Sequence, residues 1–120
     1  MSKEIVTELG KISLSEEVIA TIAGVAATEC YGIVGMASTK FKDGIAELLG
    51  RENLSKGVQV TLDDNRVEIH LFIVVGYGVK ISEVAYNVVE KVKYSVETAS
   101  GLHVTNVKIN VQGVKVGQAR

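Results

Sequence analysis

Cysteine is nearly absent: Cys30 is the one thiol in 120 residues. A single thiol closes no internal disulfide, so a reducing, cytoplasmic setting is expected. Excess charge of either sign is missing too. Thirteen basic residues face fourteen acidic ones, for a net charge of −1. That balance gives no global attraction to nucleic acid or to an anionic membrane, so no nucleic-acid partner is expected. Aromatic side chains are few, two Phe and four Tyr. Met1-Ser2-Lys3-Glu4 lacks the basic-then-apolar order of a secretory signal, and no glycine follows Met1 for myristoylation. The most apolar stretch, Val18 to Ala37, is interrupted by Glu29. A carboxylate at mid-bilayer costs about 2.5–3.5 kcal/mol against the tenths that each flanking Val or Ile returns, so the stretch reads as part of a soluble fold.

Metal and catalytic spacing is lacking as well. Cys30, His70 and His103 fall on three different elements, with no C-x-x-C or H-x-x-x-H pattern. Cys30 lies on the apolar stripe of a helix, which argues for burial rather than for a nucleophile beside a histidine. Glu16-Glu17 suits a helix start and Asp63-Asp64 suits a turn, so neither carboxylate pair requires catalysis. Gly76-Tyr77-Gly78 stands at a strand-to-helix junction but has Ile81 where a third glycine of a dinucleotide motif would be. It reads as a turn, with a phosphate at the helix start as the alternative. No catalytic, cofactor-binding or metal residue is expected.

What remains is a well-patterned globular chain, 47% hydrophobic and 22% charged. Its length suits one domain, spanning residues 1–116, with 117–120 as a frayed tail. Ile5 to Leu14 alternates as a first strand, with Gly10 as a bulge. Ser15 caps a helix whose apolar face is Val18, Ile19, Ile22, Ala23, Ala26 and Cys30, and Gly32 ends it. Ile33 to Met36 is a short apolar run that suits a strand. Residues 37–57 read as an extra short helix or loop, with Ile45, Leu48 and Leu49 as one amphipathic turn. Val58 to Leu62 and Val67 to Val75 form a hairpin around Asp63-Asp64-Asn65-Arg66. A helix from about Ser82 to Ser100 carries the stripe Ile81, Val84, Ala85, Val88, Val92, Val96 and Ala99, and Gly101 stops it. Val104 to Val111 is the last strand, and Gly113 to Arg120 reads as a strand end and then a frayed tail. The expected fold class is α+β in the order β-α-β-β-α-β, a mainly antiparallel sheet with both helices on one face.

Two groups of residues stand out as contact surfaces. Ala20, Gly24 and Thr28 form a small-residue line on the first helix, suited to packing on the second helix or to a homo-oligomer contact. His70, Phe72, Val74, Lys108 and Asn110 fall on the sheet face away from the helices. They form either an open interaction surface or a patch covered by residues 37–57.

Gly10-Lys11-Ile12-Ser13 leading to Glu17-Val18-Ile19, then Ile22-Ala23 and Gly32-Ile33-Val34-Gly35-Met36, form one half of a recognisable pattern. Gly57-Val58-Gln59-Val60, Tyr77-Gly78-Val79-Lys80-Ile81, and Gly101-Leu102-His103-Val104 through Gln112-Gly113-Val114 form the other. In this order and spacing, over about residues 5–116, the chain resembles the alkaline-shock (general-stress) proteins of Gram-positive bacteria. The resemblance implies a non-enzymatic, abundant cytoplasmic protein of cell-envelope stress and homeostasis. It implies protein–protein contacts, self-association in some members, membrane recruitment by a separate anchor protein, and no cofactor. Members of that family often carry proline where Tyr31 and Ser82 stand here, and this chain has none, which leaves those two turns less rigid. The alternative functions are a small RNA-binding module, for which Phe72 is the one stacking candidate, and a phosphate-ligand-binding domain at Gly76 to Lys80.

Overall fold

The structure, a computed structural model, describes residues 2–7, 10–38 and 48–116. Strands β1 (Ser2–Thr7) and β2 (Gly10–Ser15) pair antiparallel, with Ile5 opposite Ile12, as a two-stranded sheet of their own. The expected single strand with a bulge at Gly10 is therefore a hairpin. The apolar alternation before the reversal resumes after it in the paired register, so one bulged strand and two paired strands share the same sequence pattern.

Ser15 takes an extended conformation and accepts a hydrogen bond from the Val18 amide at 3.2 Å, and Glu16 and Glu17 occupy the first turn of helix α1 (Glu16–Thr28). The chain then turns through Gly32, whose φ of +91° favours glycine. A Cβ there would stand 2.7 Å from Val84 Cγ2, so glycine also lets this turn approach the second helix closely. Strand β3 (Ile33–Met36) follows. Ile45, expected within a helical turn, lies outside the described residues, and Leu48 instead bridges Ala37 in antiparallel fashion. The helical turn comes later, as a 3-10 segment over Arg51–Gly57.

Strands β4 (Val58–Asp63) and β5 (Arg66–Gly76) form the expected hairpin, with Asp64 left-handed at φ 54° in its turn. Helix α2 (Ile81–Ser100) ends at Gly101, which is left-handed and donates its amide to Glu97 O. Strand β6 (His103–Lys115) continues through a register shift around Gln112 into the expected strand end and stops at Lys115.

β5 is the spine of the sheet. One of its edges pairs antiparallel with β4 along Arg66–Leu71 and with β3 near Ile73–Val75. Its other edge pairs with β6 along its whole length, and in parallel. The sheet is thus mainly antiparallel, with one parallel pair connected across α2. Val67, Ile69, Leu71, Ile73 and Val75 are fully buried on one face, in a single core with Ile19 and Ala23 of α1 and Val88 and Val92 of α2. Both helices therefore cover the same face, as expected for this α+β arrangement.

Candidate interaction surface

The alternation of β5 turns Glu68, His70, Phe72 and Val74 to the face without helices. The parallel register then sets His70 beside Lys108 and Phe72 beside Asn110. All five residues expected on an interaction surface are thus brought to one face by two adjacent strands. They are not equally accessible. His70, Phe72 and Asn110 are half-buried and Lys108 is exposed, but Val74 is only 5% exposed. Val74 pairs with Gly35, and the Leu48 side chain lies where a Cβ on Gly35 would be, 2.9 Å away. Leu48, which also bridges Ala37, therefore closes that end of the face. Expected as part of an open surface, Val74 is instead part of its floor, and the accessible patch runs from Phe72 toward Glu68.

Polar groups on the patch hold one another. Glu68 Oε2 accepts from Asn106 Nδ2 at 3.3 Å and lies 3.3 Å from His70 Nε2. The Asn106 hydrogen bond, with smaller help from His70 and from the positive charge of Lys108, holds the Glu68 carboxyl below the usual carboxylate range. Asn110 Nδ2 donates to Leu71 O at 3.3 Å, which ties the side chain across the two strands. Glu68 and Asn106 belong to this surface but went unnoticed in the sequence. The parallel pairing that joins them could not be read from either strand alone.

The small-residue line on α1 has a partner within the chain. A Cβ on Gly24 would stand 3.2 Å from both Cβ and the carbonyl oxygen of Leu54, so the glycine admits the backbone of the 3-10 segment. Ala20 is buried nearby, and Thr28 bonds its own helix through Val25 O. Within the chain it is therefore Leu54, rather than α2, that lies against Gly24.

The remaining chemistry-bearing residues are dispersed. The Cys30 thiol is half-buried, 3.6 Å from Ala26 O, and burial pushes its pKa up, with Lys91 opposing the shift and Glu29 adding to it. A thiol in this state is a poor nucleophile. His103 Nδ1 lies 3.4 Å from Glu97 Oε2, which also accepts from the Val104 amide at 2.9 Å, so the pair ties α2 to the start of β6. Gly78 is left-handed at φ +93°, and the first turn of α2 beyond it carries Glu83, 3.8 Å from Lys80. Among the described residues no group of three or more His, Cys, Asp and Glu could hold a metal ion. Among them, too, no helix is long and apolar enough to cross a membrane.

Comparison with known proteins finds relatives over nearly the whole chain. An uncharacterized protein, YloU, of Bacillus subtilis (strain 168) is 55% identical over 117 residues, covering 97% of this chain and 98% of the relative. The uncharacterized Spy1614 of Streptococcus pyogenes serotype M6 is 45% identical and covers 97% of each. The uncharacterized YqhY of Bacillus subtilis is 36% identical, over 91% of this chain and 80% of its own length. No solved structure matches significantly. The model of the ASP23 family, whose description is a cell envelope-related function, matches residues 4–116. The chain belongs to this alkaline-shock family, as its strand and turn motifs foreshadowed.

Proposed function

We propose that the chain serves the cell envelope without catalysing a reaction, through contacts with other proteins, and that it works in the cytoplasm or at the membrane through a partner. The observation that carries this is the helix-free face of the sheet, where Phe72 sits among His70, Lys108 and Asn110. A half-buried aromatic ringed by polar groups is suited to protein recognition, because it offers apolar area while its rim stays hydrated. The family description, a cell envelope-related function, supports an envelope role for such contacts.

Affinity capture of the tagged protein from gently lysed native cells, with Phe72→Ser as the control bait, tests the reading. The expected outcome is an envelope-associated protein or membrane anchor that co-purifies with the wild type and is depleted with Phe72→Ser. Recovery of RNA and ribosomal proteins that survive nuclease controls, with no envelope protein, would replace it with the RNA-binding alternative.

A further inference from the structure

β6 is an edge strand. Among the described residues it pairs with β5 alone, so the other edge of its 13 residues has no strand beside it. Main-chain groups along such an edge are a template for a further strand.

The helix above that edge leaves part of the strand uncovered. α2 turns Asn87 and Lys91 toward α1, with Asn87 O 3.9 Å from Cys30 Sγ and Lys91 Nζ 3.5 Å from Glu29 Oε1. By helical period its opposite flank, Ile81, Ala85 and Val89, then lies on the β6 side. Ile81 is 44% exposed. The core-facing side chains of β6 become steadily less covered along the strand. Val104 is buried, Val107 and Ile109 are half-buried, Val111 is 38% exposed and Val114 is 51% exposed. A helix flank and an edge strand with uncovered valines between them form the geometry in which extended peptides add to sheets.

Charge selects the occupant. From Thr98 to Arg120 the sequence contains no Asp or Glu, while Lys108, Lys115 and Arg120 are basic. The carboxylates beside the strand are already held, Glu68 by Asn106 and His70, and Glu97 of α2 by the Val104 amide and His103 at the start of the edge. A second copy pairing β6 with β6 would bring Lys108 and Lys115 of both strands to one seam, and like charges across a strand pair are destabilising. We propose that β6 is the docking edge for an extended segment of a partner protein in which acidic residues alternate with apolar ones, added as a strand beside β6 and under Ile81, Ala85 and Val89. This deepens the contact-based function proposed above and rests on it.

The probe is a short blocked peptide of alternating glutamate and valine, compared with its lysine-and-valine counterpart, on the full chain. Amide hydrogen exchange reads where each binds. The glutamate peptide is expected to protect β6 amides, and the lysine peptide to leave them unchanged. The double variant Lys108→Glu/Lys115→Glu changes two exposed side chains. It is expected to keep the fold by circular dichroism, to weaken the glutamate peptide about tenfold or more at low salt, and to gain the lysine peptide. Protection at β4 instead of β6, binding of neither peptide, or equal binding to the charge-reversed variant would each overturn the proposal. So would single-stranded RNA protecting the same amides more strongly than the glutamate peptide, or β6-mediated dimers of the free chain. Capture from cells separates the two levels. An envelope partner recovered equally by the wild type and the charge-reversed variant preserves the general function and removes β6 as its site.

Discussion

The Glu68 carboxylate shows what a single side chain contributes on this surface. Its pKa is lowered from the ordinary value of 4.5 by the Asn106 and His70 contacts. A carboxyl depressed on folding stabilises the native state at pH values above its unfolded pKa, and that contribution is lost as pH falls through the lower, folded value. Replacing Glu68 with Gln should therefore reduce the denaturation midpoint slightly at neutral pH. The difference from wild type should shrink as the pH is taken below about 4.5, and urea melts across that range measure it. Added salt should shrink it at neutral pH as well, because the group is solvent-exposed. At this scale the sequence was informative where chemistry is local. The Ser15 cap and the left-handed Gly32 and Gly101 follow from near neighbours along the chain, whereas Cys30, expected buried on the helix stripe, lies half-buried beyond the end of α1 against Asn87 and Lys91 of α2. Glu68 and Asn106 were not legible, since 38 residues and a parallel register separate them.

Among the elements, the helices and the central hairpin were foreseen because a strong period leaves little choice. Val84, Val88, Val92 and Val96 repeat every fourth residue and are all buried. The other elements were resolved less fully for a common reason, that their deciding contacts are distant. The β1–β2 hairpin hides in an unbroken alternation. β6 extends past Val111 because β5 continues to offer it partners up to Gly76, opposite Lys115. The 3-10 segment has no amphipathic signature of its own and is seated by Gly24 of α1. Gly24→Val tests that seating: the added side chain meets the Leu54 backbone, which has nowhere to retreat without displacing the segment. A loss of about 1–3 kcal/mol, the usual range for overpacking, is expected in chemical denaturation. It should be accompanied by faster exchange of amides in Arg51–Gly57, while β5 and β6 keep their protection.

Taken as a whole, the molecule extends 51 × 28 × 20 Å, with its core on one side of the four-stranded sheet and the other side bearing the polar patch. Stability is concentrated in β5, whose five core-facing residues are each 0% exposed. Leu71→Ala should cost about 2–5 kcal/mol, a large part of the 5–15 kcal/mol typical of a domain. A drop in thermal midpoint by calorimetry checks it, and a change under about 1 kcal/mol would show that the sheet and helices collapse onto the lost volume. The overall fold class was legible because helix and strand periods alternate in order along the chain. The direction of the β5–β6 pairing was not, since either direction satisfies the same alternation.

That parallel pairing has a consequence for the chain as it is made. β4 and β5 adjoin through a tight turn and can associate as soon as both have left the ribosome, but the strand that covers the other side of β5 comes only after all of α2. Until residues 103–115 emerge, Leu71-Phe72-Ile73-Val74-Val75, an uncharged run of high strand propensity, has an open flank. A product ending before His103 carries that flank permanently and is primed for edge-to-edge aggregation. β6 thus acts as an intramolecular gatekeeper: it seals an adhesive strand with one whose only charged side chains are lysines.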